Sequence, residues 1–302
     1  MSEEKSGGKV KQLFLYVAGA VGLAASVAGL LADGKSAIDS MNEESLDPEV
    51  VKLQSALNDA LIAGNDPSLP DNCLPDEVTT LSQFTKVAKL LEGGKGAKAR
   101  PQDTEALEQL KEQLPSNPED AVYWYLISKA SFFHPDSMGD VKKYATLAQS
   151  KCDGWAAPDN LLGNHAFTEG RLDDAEVHYR SSLSKAPTYT IPRFNMALIA
   201  MKAEKFSDAV TALDTLIADR PNHPNAHFLR SQAHFKSGQV EGALTDIQAA
   251  IQQDPANARA VLLYGQFLAQ GGKAADAKAQ YCKAAALGFA PAEALCQDGG
   301  GQ

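Results

Sequence analysis

Three histidines, His223, His227 and His234, lie close together in the chain. Three imidazoles within reach of one another can hold a divalent transition metal. His227 and His234 are seven residues apart and share a helix face, and His223 sits in the preceding loop, one turn before His227. The same two positions pack between helices, so interhelical histidines, and no metal, are expected. Four cysteines follow a different logic: Cys73, Cys152, Cys282 and Cys296. None forms a CxxC pair, which excludes zinc-ribbon and thioredoxin-like chemistry, and no CxxCH attaches a haem. An even count fits two disulfides outside the cytosol, or four buried thiols. Asp173 and Asp174 open a helix, where carboxylates cap and complement the dipole. No Ser/His/Asp or Cys/His nucleophile and no Gly-rich phosphate loop is present, so neither catalysis nor a cofactor is expected.

The totals agree. The 302 residues carry 28 Lys+Arg against 38 Asp+Glu, a net charge of -10. Binding phosphates requires a cationic face, so a nucleic-acid partner is excluded. Hydrophobic residues make up 44%, enough to bury a core over most of the length.

The elements that position these residues begin with an apolar run. Leu13 to Ala32 is twenty residues without a charge, about 30 Å as a helix, preceded by Lys5, Lys9 and Lys11 and followed by acidic residues. Positive charge stays on the cytoplasmic side. The run therefore predicts a cytoplasmic tail at 1–12, a transmembrane signal anchor at 13–32, and the rest of the chain on the periplasmic side of a cell inner membrane. The alternative is secretion after cleavage following Ala28, because Ser26-Val27-Ala28 fits the small-x-small rule. Ala18, Gly22, Ala25 and Gly29 fall on one face, where a second copy could pack.

A helical spacer and linker follow over 33–100. Pro48 opens a first helix and Gly64 ends it; a second runs from about Asp76 to Leu91. Gly93, Gly94 and Gly96 begin a flexible link ending at Pro101. Over 101–155, helices are predicted near Thr104 to Leu114, Glu119 to Phe132, and on to about Ser150. This stretch reads as a degenerate repeat or a pair of capping helices.

From Ala156 the chain falls into rows of 34. Gly163, Ala197, Ser231 and Gly265 share one column; Ala175, Ala209, Ala243 and Ala277 share another. Tyr179, Leu213, Ile247 and Tyr281 form a third, and Pro187, Pro221 and Pro255 a fourth. Each row predicts two antiparallel helices joined by a turn, with Gly170, Gly238 and Gly272 in three turns and Glu204 in the remaining one. Small residues let the two helices approach, the bulky column fills the gap between neighbours, and Pro stops the second helix. A single row cannot bury its apolar faces, so rows must stack.

This pattern resembles the tetratricopeptide-repeat (TPR) family, whose rows have the same length and the same order of small, Ala, aromatic and Pro positions. The resemblance covers about 156–292. The final stretch, Lys283 to Leu295, looks like a Sel-one-like repeat. The predicted fold class is therefore all-α: a right-handed TPR solenoid of about four repeats at 156–302, behind a helical spacer and one transmembrane helix. By resemblance, the first helices line a groove that holds a protein or extended peptide. The matching residues are Asn160 and Asn164; Phe194, Asn195 and Leu198; Asn225, Phe228 and Gln232; and Arg259, Leu262 and Gln266. Asn164 and Asn195 match the asparagines of the family's chaperone-tail binders, but the cationic positions are Asn160, Asn225 and Leu229. Amides that pair with an extended backbone, beside apolar pockets, remain. Cys282 and Cys296 flank the turn at Gly288 to Pro291 and are expected to pair as a disulfide. The architecture is also similar to membrane-anchored TPR proteins of cytochrome c maturation, which implies an adaptor for envelope-complex assembly. A permanent structural subunit is the other function this layout implies.

Overall fold

Fourteen α-helices follow one another among the described residues of the computed structural model, 48–63, 66–92, 100–113, 119–223 and 225–298. The first five are α1 Pro48–Ala63, α2 Val78–Leu90, α3 Pro101–Gln113, α4 Ala121–Phe133 and α5 Val141–Lys151. The next eight form four pairs: α6 Ala156–Thr168 with α7 Leu172–Lys185, α8 Thr190–Lys202 with α9 Phe206–Asp219, α10 Ala226–Lys236 with α11 Val240–Gln253, and α12 Ala258–Gln270 with α13 Ala274–Ala286. α14, Pro291–Asp298, packs back on α13. No strand occurs among the described residues. Each pair packs on the next in chain order, and residues from Pro48 onward form one compact unit.

The expected localisation is overturned. Among the described residues no helix is long and apolar enough to cross a membrane. The longest, α1, has 16 residues, about 24 Å, against a bilayer core of about 30 Å. This removes the support for a single-pass inner-membrane protein with periplasmic repeats. The tail 1–12, the run 13–32 with Ala18, Gly22, Ala25 and Gly29, the cleavage alternative after Ala28, and the linker to 47 lie outside the described residues.

The glycine of the small column is dictated by its partner. A Cβ on Gly163 would sit 2.5 Å from Tyr179 Cε1, and one on Gly265 would sit 2.6 Å from Tyr281 Cε1. Where the partner is the smaller Leu213 or Ile247, the column holds Ala197 or Ser231 instead. The helix gives up conformational stability at each glycine so that a tyrosine ring can fill the gap. Gly163→Ala is expected to destabilise by about 1–3 kcal/mol through overpacking. Adding Tyr179→Leu should restore much of that loss, and thermal melts of the single and double variants check it. Equal melting of wild type and Gly163→Ala would show that the ring does not seat against the glycine.

The four turns within pairs all use a left-handed residue: Gly170 at φ 76°, Glu204 at 58°, Gly238 at 81° and Gly272 at 76°. Glu204 is the one positive-φ residue with a side chain among the described residues. A Cβ disfavours that conformation, so Glu204→Gly is expected to raise stability by about 0.5–1 kcal/mol. Urea unfolding with an unchanged slope would establish the gain; a loss would mean the glutamate side chain supports the turn.

Ahead of the repeats, one apolar cluster runs from Val50 to Leu162 and joins α1–α5 to α6. Its centre is aromatic: Tyr125 meets Trp155 edge-on with ring centroids 4.5 Å apart, and Trp124 stacks on Tyr144 at 5.7 Å. Two cross-links fasten it to the loop after α1. A disulfide joins Cys73 to Cys152 with Cα atoms 5.8 Å apart. The buried Asp66 carboxylate accepts from Lys129 Nζ at 2.6 Å and from the Tyr125 hydroxyl at 2.5 Å. Lys129 occupies the small column of the degenerate row, and this ion pair is how a long cation is accommodated there. A second disulfide joins Cys282 in α13 to Cys296 in α14, with Cα atoms 4.7 Å apart.

Candidate functional site

The first helices α6, α8, α10 and α12 present the residues picked out above, and the structure divides them into two groups. Asn164 and Asn195, on successive first helices, meet: Asn195 Nδ2 donates to Asn164 Oδ1 at 2.8 Å. The same oxygen accepts from the Tyr179 hydroxyl at 2.9 Å. Burial holds that phenol above its ordinary pKa, so it stays a donor. Asn164 is thus a junction between both helices of its own pair and the next pair, and both amides are half-buried. Asn160 is not open at all: it is buried, and its Nδ2 donates to the equally buried Tyr189 hydroxyl at 3.1 Å. It supports the junction between pairs instead of facing a ligand.

The aromatic residues divide in the same way. Phe194 tilts against the His223 ring at 5.2 Å and packs with Leu198 around Leu213 and Leu229. Phe228 packs into the cluster of Ile247 and Phe267. Asn225, Arg259 and Gln266 are exposed, while Gln232 and Leu262 are half-buried.

An open hollow of about 490 Å³ lies across α8, α10 and α12. Met201, Phe235 and Leu263 supply its apolar lining, with Gln232, Gln266 and Gln270 as amides and Lys236 as a cation. Its floor is built by Phe235 stacked on the buried Phe267, centroids 4.2 Å apart. Of the residues expected from the sequence, Gln232 and Gln266 line it. Met201, Phe235 and Leu263 were missed. The signal was available: Phe167, Met201 and Phe235 recur at the 34-residue period, one place before Thr168, Lys202 and Lys236. Lys202 Nζ sits 5.4 Å from the Phe167 ring centroid, continuing the same edge.

The histidine cluster is built around a carboxylate. Asp246, buried on α11, receives Arg230 at 2.7 and 2.6 Å and faces His227 Nδ1 at 3.0 Å. His234 Nε2 is 3.6 Å from the same carboxylate, and its Nδ1 is 2.7 Å from Gln239 Oε1. Burial pushes the Asp246 carboxyl up, but hydrogen bonds from Arg230 and His227 outweigh it and hold it below its usual value. His223 stays apart on Phe194. The cluster ties α10 to α11 within one pair, Arg230 Nη1 reaches Asp214 on α9 of the preceding pair, and no group with metal-binding geometry occurs among the described residues.

The family profile described as tetratricopeptide repeat matches residues 194–255 and 230–294. Those spans cover the second, third and fourth pairs, each with its left-handed turn and its small and bulky columns in place. Residues 194–294, about a third of the chain, match the tetratricopeptide-repeat family. The profile matched over the last pair is the TPR one, and the Sel-one-like reading of that stretch gains nothing from it. The chain is 24% identical over 95 residues to the Hsp70-Hsp90 organizing protein of Triticum aestivum, covering 32% of this chain. The chain spans only 16% of that relative's length. Among solved structures, the type IV pilus biogenesis factor PilW superposes with a TM-score of 0.59 at 16% identity, over 68% of this chain and 92% of that one. YrrB, described as a TPR protein with an unusual peptide-binding site, gives 0.52 at 18% identity, over 64% of this chain and 97% of that one. These likenesses establish the TPR fold.

At the TPR positions that carry cations in chaperone-tail binders, Asn160 and Leu229 are buried and Asn225 is exposed at the start of α10. None of the three is charged.

Proposed function

We propose that this chain is a non-catalytic adaptor that holds a partner protein through an extended peptide laid along the first helices. The observation that carries this reading is the apolar hollow floored by Phe235 and Phe267 and rimmed by glutamines. It offers a pocket for a bulky side chain, with amides beside it that can donate to and accept from a peptide backbone. The description of YrrB as a peptide-binding TPR protein is in keeping with it.

A permanent structural subunit is the second reading, favoured by a cleft of about 470 Å³ between α7 and α9 on the opposite side of α8. Val177 on α7 is 63% exposed. Photo-crosslinking separates the two. A benzophenone amino acid at the exposed Gln266 is expected to trap a discrete partner, and the same group at Val177 is not. Adducts from Val177 alone would favour the structural-subunit reading.

A further inference from the structure

The two layers of helices differ in charge. The four first helices carry Arg193, Lys202, Arg230, Lys236 and Arg259 against one acid, Asp159, which is fully buried and paired to Lys185. The four second helices carry nine acidic residues against four basic ones. So a chain of net charge -10 keeps its acids out of the layer that forms the hollow. Two of the five cations are engaged elsewhere: Arg193 with Asp219, and Arg230 with Asp214 and Asp246. Lys202, Lys236 and Arg259 are exposed. Lys236 lines the hollow, and Lys202, one row earlier, directly follows Met201, which also lines it. One cation, Lys236, therefore lines an apolar pocket rimmed by neutral amides, and a second, Lys202, lies one repeat earlier beside the Phe167 ring.

From this juxtaposition we infer that the hollow recognises an internal acidic segment carrying a bulky apolar residue, with Lys202 and Lys236 meeting carboxylates on either side of that residue. The inference rests on the adaptor reading above and specifies its ligand. Charge complementarity selects the sign: opposite charge raises the encounter rate, and like charge is rejected at desolvated rims. The segment is internal because Asn160, Asn225 and Leu229 supply no cation that would fix a chain-terminal carboxylate. Exposed lysines act as point charges without the planar fork of arginine, so they reward carboxylates without dictating their spacing.

The test uses the full chain and fluorescent synthetic peptides read by anisotropy. The reference peptide has a central Leu-Phe pair flanked by aspartates and glutamates and an amidated C-terminus. Its counterparts replace the acids with lysines, replace them with serines, or free the terminal carboxylate. The acidic peptide is expected to bind about tenfold tighter than the serine peptide, with the difference shrinking as salt rises, and the lysine peptide to bind weakest. The free acid should match the amide. Lys202→Glu with Lys236→Glu should reverse the order of acidic and lysine peptides while melting stays unchanged, since both side chains are exposed. Equal binding of all charge variants, with competition by the neutral peptide, would overturn the acidic ligand and leave the adaptor reading standing. A requirement for the free carboxylate would overturn the internal segment. Failure of every peptide to bind would remove both.

Discussion

Replacing Cys73 and Cys152 with alanine is expected to destabilise the protein by about 4–5 kcal/mol, the chain-entropy value for a loop closed over a separation of 79 residues. The surroundings make the loss local. Cys152 is buried beside Trp155, whose Nε1 donates to the Pro67 carbonyl at 3.3 Å. Asp66 next to it holds Lys129 and Tyr125. Without the disulfide, the loop between α1 and α2 keeps these polar contacts and the burial of Leu69 in the shared apolar cluster, and α1 and α2 should detach before the repeats melt. Hydrogen exchange should show α1 and α2 opening first and α8–α11 unchanged. The Cys282–Cys296 pair closes a separation of 14, so its removal should cost about 3 kcal/mol and loosen only α14. Identical melting of wild type and the Cys73→Ala/Cys152→Ala variant would show that the loop is held by packing alone.

Lys185→Met should have the next largest effect. Asp159 is fully buried in α6, and Lys185 Nζ lies 2.7 Å from its Oδ2. Gln149 and Ser181 donate to its other oxygen at 2.8 and 2.7 Å. Methionine keeps the length of the side chain and removes its charge, leaving a buried carboxylate with two neutral donors. The expected cost is about 3–5 kcal/mol. Asp159→Asn in the same chain should recover part of it, because the charge that lost its partner is gone. The two variants melted side by side decide the matter. A single variant as stable as wild type would mean that Gln149, Ser181 and water suffice to hold the carboxylate.

The repeat was legible because its physics is periodic. Every row must bring two helices close, turn sharply and stop, and each requirement leaves one residue type at one place. The left-handed turns at Gly170, Gly238 and Gly272 were readable for that reason, and so was Glu204 as the odd member. What holds α1–α3 to the repeats was not readable. Asp66 and Lys129 are 63 residues apart, and the 34-residue period does not relate them. The lining of the hollow was half legible. Family positions pointed to Asn160 and Phe194, which the fold uses for packing, and passed over Phe235 and Met201. A column that varies among Phe, Met and Ala reads as ordinary core filling until the hollow between three helices is seen. The membrane assignment came from the apolar run at 13–32 alone, and the described helices give it no support.

The size-matched pairs across the repeats bear on a hazard of repetitive chains, the docking of one row's first helix on another row's second helix. Gly163 admits the Tyr179 ring, and Ala197 faces the smaller Leu213. If the helix bearing Ala197 were to close on Tyr179, its Cβ would enter the space the ring occupies. If the helix bearing Gly163 closed on Leu213, a void would remain. Each wrong partnering is penalised, one by collision and the other by emptiness. The size match, Gly with Tyr in the two outer rows and Ala or Ser with Leu or Ile in the two inner rows, therefore penalises exchange between outer and inner rows during folding.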